Sequence, residues 1–221
     1  MNIAIDGPSG AGKSSLAKAL AKRLGIIYVD TGALYRTIGL YMKQRGIDPK
    51  DEAGVTAALS GVELSLAFRD GAQRIYLCGE DVGDSIRTPE MSLYASAVSA
   101  IGAVRAFLLD TQRKVAREAS VVMDGRDIGT VILPDAECKI FLTASPEARA
   151  RRRTEELLAK GMEVRYETVL EEMVMRDRND STRAIAPAVP AEDAVFLDNS
   201  DLTAEETIEA AIQIIENSKN K

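Results

Sequence analysis

The stretch Gly7-Pro8-Ser9-Gly10-Ala11-Gly12-Lys13-Ser14 fits the pattern G-x-x-x-x-G-K-[ST]. Before it, Asn2-Ile3-Ala4-Ile5-Asp6 is a short, mainly apolar run suited to a buried strand. After it, Leu16, Leu20 and Leu24 recur every four residues, as on one face of a helix. Strand, loop, helix is the context that a phosphate-binding loop requires. The glycines let backbone N–H groups close around phosphate oxygens, and the helix N-terminus adds partial positive charge. Lys13 is then placed to reach the outer phosphates and Ser14 to ligate Mg2+. The bland alternative is an ordinary Gly-rich turn.

Composition narrows the chemistry. The chain has 221 residues, 46% of them apolar, which is enough for a core, and it carries no run long and apolar enough to span a bilayer. It contains no histidine, so histidine triads and histidine metal sites are excluded. Cys78 and Cys138 lie far apart in apolar surroundings, which makes a structural zinc site a poor fit. With a start that enters a strand directly, these features point to a cytoplasmic, reduced setting and no membrane partner. A net charge of −6 argues against nucleic acid as a partner, because phosphate-backbone recognition needs a basic field. Chemistry is left to carboxylates, lysine, arginine and backbone.

Helix and strand patterns alternate along the chain as in a parallel sheet covered on both faces. Gly25 suits the end of the first helix, and Ile26-Ile27-Tyr28-Val29 reads as a second buried strand. Helical patterns cover about 33–44 and 52–59. Val62, Leu64, Leu66 and Phe68 then alternate at period two, and with the Arg69-Asp70-Gly71-Ala72 turn and the run Ile75 to Cys78 they predict an antiparallel hairpin. The segment 61–83 therefore looks like an insertion, a small lobe whose apolar side is expected to pack on its surroundings. Thr88-Pro89-Glu90 opens a helix, a break falls near Gly102, and a helix over about 103–118 leads into the strand Val121 to Met123. Lys139 to Leu142 is a fourth strand, and Ser145-Pro146-Glu147 starts a basic helix that Gly161 ends. A further helix runs to about Arg178, Val195 to Leu197 is the fifth parallel strand, and Thr203-x-x-Glu206 is a capping box for the last helix.

Three charged clusters fall where a doubly wound sheet places chemistry. Asp30-Thr31-Gly32-Ala33-Leu34-Tyr35-Arg36 brings a hydroxyl, a phenol and a guanidinium to a helix start, either to hold an anionic group or as a simple N-cap with a surface arginine. Asp124-Gly125-Arg126-Asp127 follows a strand in the manner of an acid that orients magnesium-bound water, although Asp-Gly also makes ordinary turns. The third cluster is Arg149, Arg151, Arg152 and Arg153, then Arg176 to Arg183. The first run is equally a solvated helix face. In the second, a helical conformation presents Arg176, Asp180 and Arg183 on one side, suited to neutralising a phosphoryl group in flight.

The chain resembles the bacterial cytidylate kinases of the nucleoside monophosphate kinase group. The resemblance covers nearly its whole length. It is carried by GPSGAGKSS at 7–15, DTGALYR at 30–36, IRTPE at 86–90, DGRDIGTVILPDA at 124–136 and RDRNDSTRAIAP at 176–187. Adenylate kinases share the loop but usually show a DGFPR-type segment where this chain has DGRD, and the 61–83 hairpin looks like the insert typical of cytidylate kinases. The family implies an α/β P-loop kinase fold with a five-stranded parallel core and helices on both faces. The 221 residues then form one kinase domain, with a nucleotide-monophosphate lobe over about 31–105 and a mobile lid over about 149–183.

The implied activity is transfer of the ATP γ-phosphate to CMP or dCMP, with Mg2+ and without a nucleic-acid partner, by a chain expected to be monomeric. Carried onto matching positions, Gly7, Pro8, Ser9, Gly10, Ala11, Gly12, Lys13, Ser14 and Ser15 bind ATP. Arg36 and Arg126 hold the CMP phosphate, with Thr31 and Tyr35 in the same acceptor segment. Ser96, Arg105 and Asp127 face cytosine, Asp180 and Arg183 lie near the sugar, and Arg176 stands beside the transferring phosphate. Catalysis falls to Lys13, Arg126 and Arg176, and Mg2+ to Ser14 with Asp124 through water. One departure is local: family lids often read RDxRD, whereas Asn179 here precedes the aspartate and Arg178 stands one place earlier. Two rival classes are a GTPase switch, for which no N-K-x-D sequence occurs, and a noncatalytic nucleotide-binding module.

Overall fold

The computed structural model describes residues 1–69 and 72–218. In chain order the elements are β1 (Asn2–Asp6), α1 (Lys13–Leu24), β2 (Ile27–Asp30), α2 (Thr31–Gln44), α3 (Glu52–Ala58), β3 (Leu64–Arg69), β4 (Ala72–Leu77) and β5 (Glu80–Asp81). There follow α4 (Pro89–Val98), α5 (Gly102–Glu118), β6 (Val121–Asp124), β7 (Cys138–Thr143), α6 (Pro146–Ala159), α7 (Tyr166–Thr182), β8 (Val195–Asp198) and α8 (Ala204–Ser218). The chain divides into two compact units, one of Met1–Gly25 with the residues from Val122 onward, the other Ile26–Val121. The fold is α/β with a five-stranded parallel sheet. The first unit holds β6-β1-β7-β8 in that order and the second holds β2.

In the first unit, β1 pairs in parallel with β7, from Ile3 opposite Cys138 to Asp6 opposite Phe141. β7 pairs likewise with β8, from Ile140 opposite Val195 to Thr143 opposite Asp198. Ile3, Ile5, Met123 and Ile140 are fully buried, as expected of strands covered on both faces, and so are Leu20 on α1 and Ile128 in the segment after β6. The capping signals perform as read. The Ser145 hydroxyl accepts from the Ala148 N–H at 3.2 Å. Thr203 and Glu206 reciprocate, with Glu206 N–H donating to Thr203 Oγ1 at 3.2 Å and Thr203 N–H to Glu206 Oε2 at 2.9 Å. After the strand end at Asp124, Ile128–Ile132 forms one wide π-helical turn that the sequence patterns do not announce.

The second unit is built around α2, whose Leu34, Ile38 and Met42 meet Ile75, Val98 and Leu108 in one core. The hairpin pairs from Leu64 opposite Leu77 to Arg69 opposite Ala72, and β5 extends it to a three-stranded antiparallel sheet. The Asp70-Gly71 centre of the expected turn lies outside the described residues. Among the described residues no single helix is long and apolar enough to cross a membrane.

Candidate active site

The loop between β1 and α1 is shaped by close backbone approach. Gly7 has φ of +143°, and a Cβ there would stand 1.9 Å from the Leu142 carbonyl oxygen, so a side chain is excluded on two counts. Gly7 and Ala11 are buried, Pro8 and Ser9 partly so, and Gly10, Gly12, Ser14 and Ser15 are exposed. Lys13 begins α1 and folds back, donating from Nζ to the Pro8 carbonyl at 2.6 Å. Burial, reinforced by the charge of Arg126, pushes the Lys13 ammonium well below the ordinary lysine range. Asp124 and Asp6 oppose that shift.

Other parts of the first unit hold the loop in place. Arg149 is only 3% exposed; it donates from Nε to the Ala144 carbonyl at 2.9 Å and from Nη1 to the Ser9 carbonyl at 2.9 Å, and its Nη1 lies 2.6 Å from Asp177 Oδ2 on α7. Asn199 donates from Nδ2 to the Ala11 carbonyl at 3.1 Å. Arg152 in turn holds Asn199, at 3.1 Å to Oδ1 and 2.6 Å to the carbonyl. The solvated-face reading of the 149–153 run therefore fails for Arg149 and Arg152.

Asp124 closes β6 and accepts from the Ser14 hydroxyl at 2.7 Å. A hydroxyl and a carboxylate side by side make an oxygen-only pair, which suits a hard cation that keeps several waters. Among the described residues no group of three or more His, Cys, Asp or Glu is placed to hold a metal. Ser14 and Asp124 thus fit Mg2+ that draws its other ligands from water and phosphate.

Asp127 is 3% exposed and starts the π-helical turn, its carbonyl accepting from Val131 N–H at 2.9 Å and Ile132 N–H at 3.2 Å. Beside it stands Asp6, a residue that sequence patterning absorbed into the first strand. Its two carboxylate oxygens accept from Ile128 N–H and Gly129 N–H, each at 2.7 Å. Burial pushes the Asp6 carboxyl up to about 6, with the Asp127 charge adding to the rise and the two amide donors and Lys13 working against it. The visible signal was a charged residue closing an apolar strand immediately before the loop.

Helix α7 continues one turn past the expected end. The hydroxyls of Ser181 and Thr182 donate to the Arg178 carbonyl at 3.1 and 2.7 Å. Arg176 and Asp180 share this helix, with Arg176 Nε 4.0 Å from Asp180 Oδ2. Arg126 donates from Nε to the same oxygen at 3.0 Å. Arg183 lies just beyond the helix in extended backbone and donates from Nε to the Ala186 carbonyl at 2.6 Å, so the one-sided triad expected of 176, 180 and 183 reduces to a pair.

In the second unit, Asp30 caps α2: Oδ1 accepts from Ala33 N–H at 2.8 Å and Oδ2 from Arg36 Nη2 at 2.8 Å. A Cβ at position 32 would lie 3.1 Å from Arg36 Nη1, so glycine leaves the guanidinium its place. Thr31 and Tyr35 are buried on the same helix. Arg105 is buried at the start of α5, donates from Nη1 to the Ser99 carbonyl at 3.1 Å and stands 5.5 Å from the centre of the Tyr35 ring. The Ser96 carbonyl accepts from the Ser99 hydroxyl at 2.9 Å, which tightens the end of α4. Gln73 on β4 grips Asp30, a contact with no sequence signal beyond a polar residue in an alternating strand.

Comparison with known proteins agrees with these features. The cytidylate kinase family model matches residues 3–217. A cytidylate kinase of Caldanaerobacter subterraneus subsp. tengcongensis is 52% identical over 215 residues, covering 97% of this chain and 94% of the relative. Another, from Fervidobacterium nodosum, is 49% identical over 96% of this chain and 95% of its own length. Among solved structures, a shikimate kinase from Bacteroides thetaiotaomicron has a TM-score of 0.50 at 12% identity, covering 100% of this chain and 99% of that one. A gluconokinase from Sinorhizobium meliloti has a TM-score of 0.50 at 17% identity, covering 99% and 94%. At such identities the structural likeness speaks for the fold alone, whereas the family match spans nearly every residue: the chain belongs to the cytidylate kinase family.

Proposed function

We propose that this chain transfers the γ-phosphate of ATP to CMP and dCMP, giving CDP and dCDP. The observation that carries the reading is the buried Lys13, seated on a glycine loop beside the Ser14 and Asp124 pair, in a chain of this family. Transfer between two anions needs neutralisation of charge, in-line placement and exclusion of water, and little covalent help. Residues 7–15 cradle the ATP phosphates with backbone N–H groups, and a phosphate brought against Lys13 favours its charged form despite burial. Mg2+, held by Ser14 and through water by Asp124, would supply further neutralisation of the β and γ oxygens.

Arg36 and Arg126 hold the acceptor phosphate, with Thr31 and Tyr35 beside Arg36. Ser96, Arg105 and Asp127 read cytosine, the carboxylate accepting from its amine. Asp180 and Arg183 contact the sugar, and Arg176 covers the bridging oxygen. Residues 31–105 act as the monophosphate lobe, with the insert at 61–83, and 149–183 as a lid that closes on the nucleotides. The chain acts as a cytoplasmic monomer. The test is ADP release from ATP and Mg2+ with and without CMP. Release that requires CMP or dCMP is expected. Release independent of any acceptor, or none with either nucleotide, refutes the assignment.

A further inference from the structure

The hairpin of β3 and β4 interrupts an otherwise α/β chain, and apolar packing accounts for only part of its inward face, on which Gln73, Ile75 and Leu77 alternate. Ile75 and Leu77 enter the core of the second unit. Gln73, on the same strand opposite Phe68, does something else. Its Oε1 accepts from Asp30 N–H at 2.8 Å, while its Nε2 donates to the Asp30 carbonyl at 3.2 Å. One primary amide thereby satisfies both backbone groups of a single residue, in the way a neighbouring strand would. The backbone of Asp30 is fixed in position and in rotation.

Asp30 passes this constraint on. Its two carboxylate oxygens are divided between the Ala33 N–H at the start of α2 and Arg36 Nη2, each at 2.8 Å. With Nη2 of the Arg36 guanidinium tied down and Gly32 leaving room beside Nη1, the direction of the fork is set by where the Asp30 carboxylate sits. The Arg36 Nε–H is buried and donates to no atom among the described residues, so this donor remains for an anion.

We infer that Gln73 is a positioning residue for the acceptor phosphate: by clamping Asp30, the hairpin aims Arg36. The inference rests on the assignment of Arg36 to the CMP phosphate proposed above. It turns the insert from packing material into part of the acceptor site, and it fits the general finding that small misplacements of a charged clamp are costly in rate and affinity.

The test uses the full chain with Gln73→Leu, which removes both hydrogen bonds at similar size, and Gln73→Glu, which keeps an acceptor for the Asp30 N–H but sets a carboxylate against the Asp30 carbonyl. The readouts are KM for CMP, KM for ATP and the inhibition constant of cytidine, which lacks the phosphate. Both variants are expected to raise KM for CMP about tenfold, the loss of discrimination corresponding to a mispaired buried group. Cytidine inhibition and KM for ATP should stay within about twofold of the unaltered chain. In an Arg36→Ala background, Gln73→Leu should add no further loss. Equal losses for CMP and cytidine would reduce Gln73 to a general staple of the lobe, and an unchanged KM for CMP beside a large effect of Arg36→Ala would overturn the aiming role alone. If Arg36→Ala leaves KM for CMP unchanged, the phosphate assignment itself falls, and the inference with it. Should Gln73→Leu fail to fold, Gln73→Glu decides on the same readouts.

Discussion

Arg149 offers the most direct test of how the phosphate loop is held. The change Arg149→Leu fills most of the volume of the arginine stem while removing its head. It deletes the hydrogen bonds to the Ala144 and Ser9 carbonyls, both 2.9 Å, and the ion pair with Asp177 at 2.6 Å. Breaking a buried pair costs about 3–5 kcal/mol, mainly because a charge is left without its partner. Here the stranded Asp177 side chain is 23% exposed, so water recovers part of that cost. The two orphaned carbonyls add about 1 kcal/mol each, since carbonyls are more easily rehydrated than charges. A net loss of about 4 kcal/mol results, equivalent to a fall in Tm of about 8–16 °C for a chain of this size. The assay is thermal unfolding of Arg149→Leu, Asp177→Asn and the double variant. The pair should show a coupling of about 2 kcal/mol. KM for ATP should rise about tenfold, because the Ser9 carbonyl belongs to the loop. A fall in Tm below about 2 °C, or strict additivity of the two changes, would refute the brace.

Lys13→Ala should lower kcat by on the order of a thousandfold with circular dichroism unchanged, since it removes a preorganised charge from a water-poor site; near-normal turnover in the folded variant removes Lys13 from the mechanism. Asp127→Ala should narrow the ratio of kcat/KM for CMP over UMP by at least about tenfold, or roughly 1.4 kcal/mol, because a carboxylate accepts from the cytosine amine and repels the uracil carbonyl; parallel losses for both substrates assign Asp127 elsewhere. For Asp6, burial raises the folded carboxyl to about 6 from an ordinary value of 3.8. Between those values the folded chain holds a proton that the unfolded chain releases, so this group makes stability fall as pH rises, by roughly 3 kcal/mol once pH exceeds about 6. Asp6→Asn should lack that component, so urea unfolding at pH 4 and pH 7 should show the unaltered chain losing about that much relative to the variant; equal pH dependence contradicts the assignment.

The parts legible in the sequence are those governed by local rules. G-x-x-x-x-G-K-S announces its own backbone, because Gly7, Gly10 and Gly12 stand at positive φ, +143°, +76° and +89°, where glycine is favoured. Asp30, Thr88, Ser145 and Thr203 cap helices through atoms three residues away, a distance that spacing can read. The end of α7 was less legible because Asn179, Asp180, Ser181 and Thr182 are weak helix formers. Bonds from the Ser181 and Thr182 hydroxyls to the Arg178 carbonyl accompany the extra turn. The braces were not legible at all. Asn199 meets Ala11 across 188 positions, Arg149 meets Ser9 across 140 and Gln73 meets Asp30 across 43, and no periodicity encodes such partners. Arg149 and a solvent-facing arginine on the same helix have the same signature in a charge run.

Asp6 and Lys13 are displaced in opposite directions by one cause, burial, and in many sites such a pair would mark a proton donor and acceptor. The contacts around Asp6 argue otherwise. Both of its oxygens are occupied by the Ile128 and Gly129 amides, so the carboxylate anchors the segment that carries Arg126 and Asp127 and is poorly placed to take a proton from a substrate. Lys13 likewise spends a donor on Pro8 and faces charges of both signs. Buried charge in this unit is therefore arranged for holding, which is what phosphoryl transfer requires of a chain without histidine. It follows that damage should be separable by residue. Removing a holder such as Arg149 should appear mainly in the KM of the nucleotide whose segment it braces, whereas removing Lys13, which would face the charge that develops in transfer, should appear mainly in kcat.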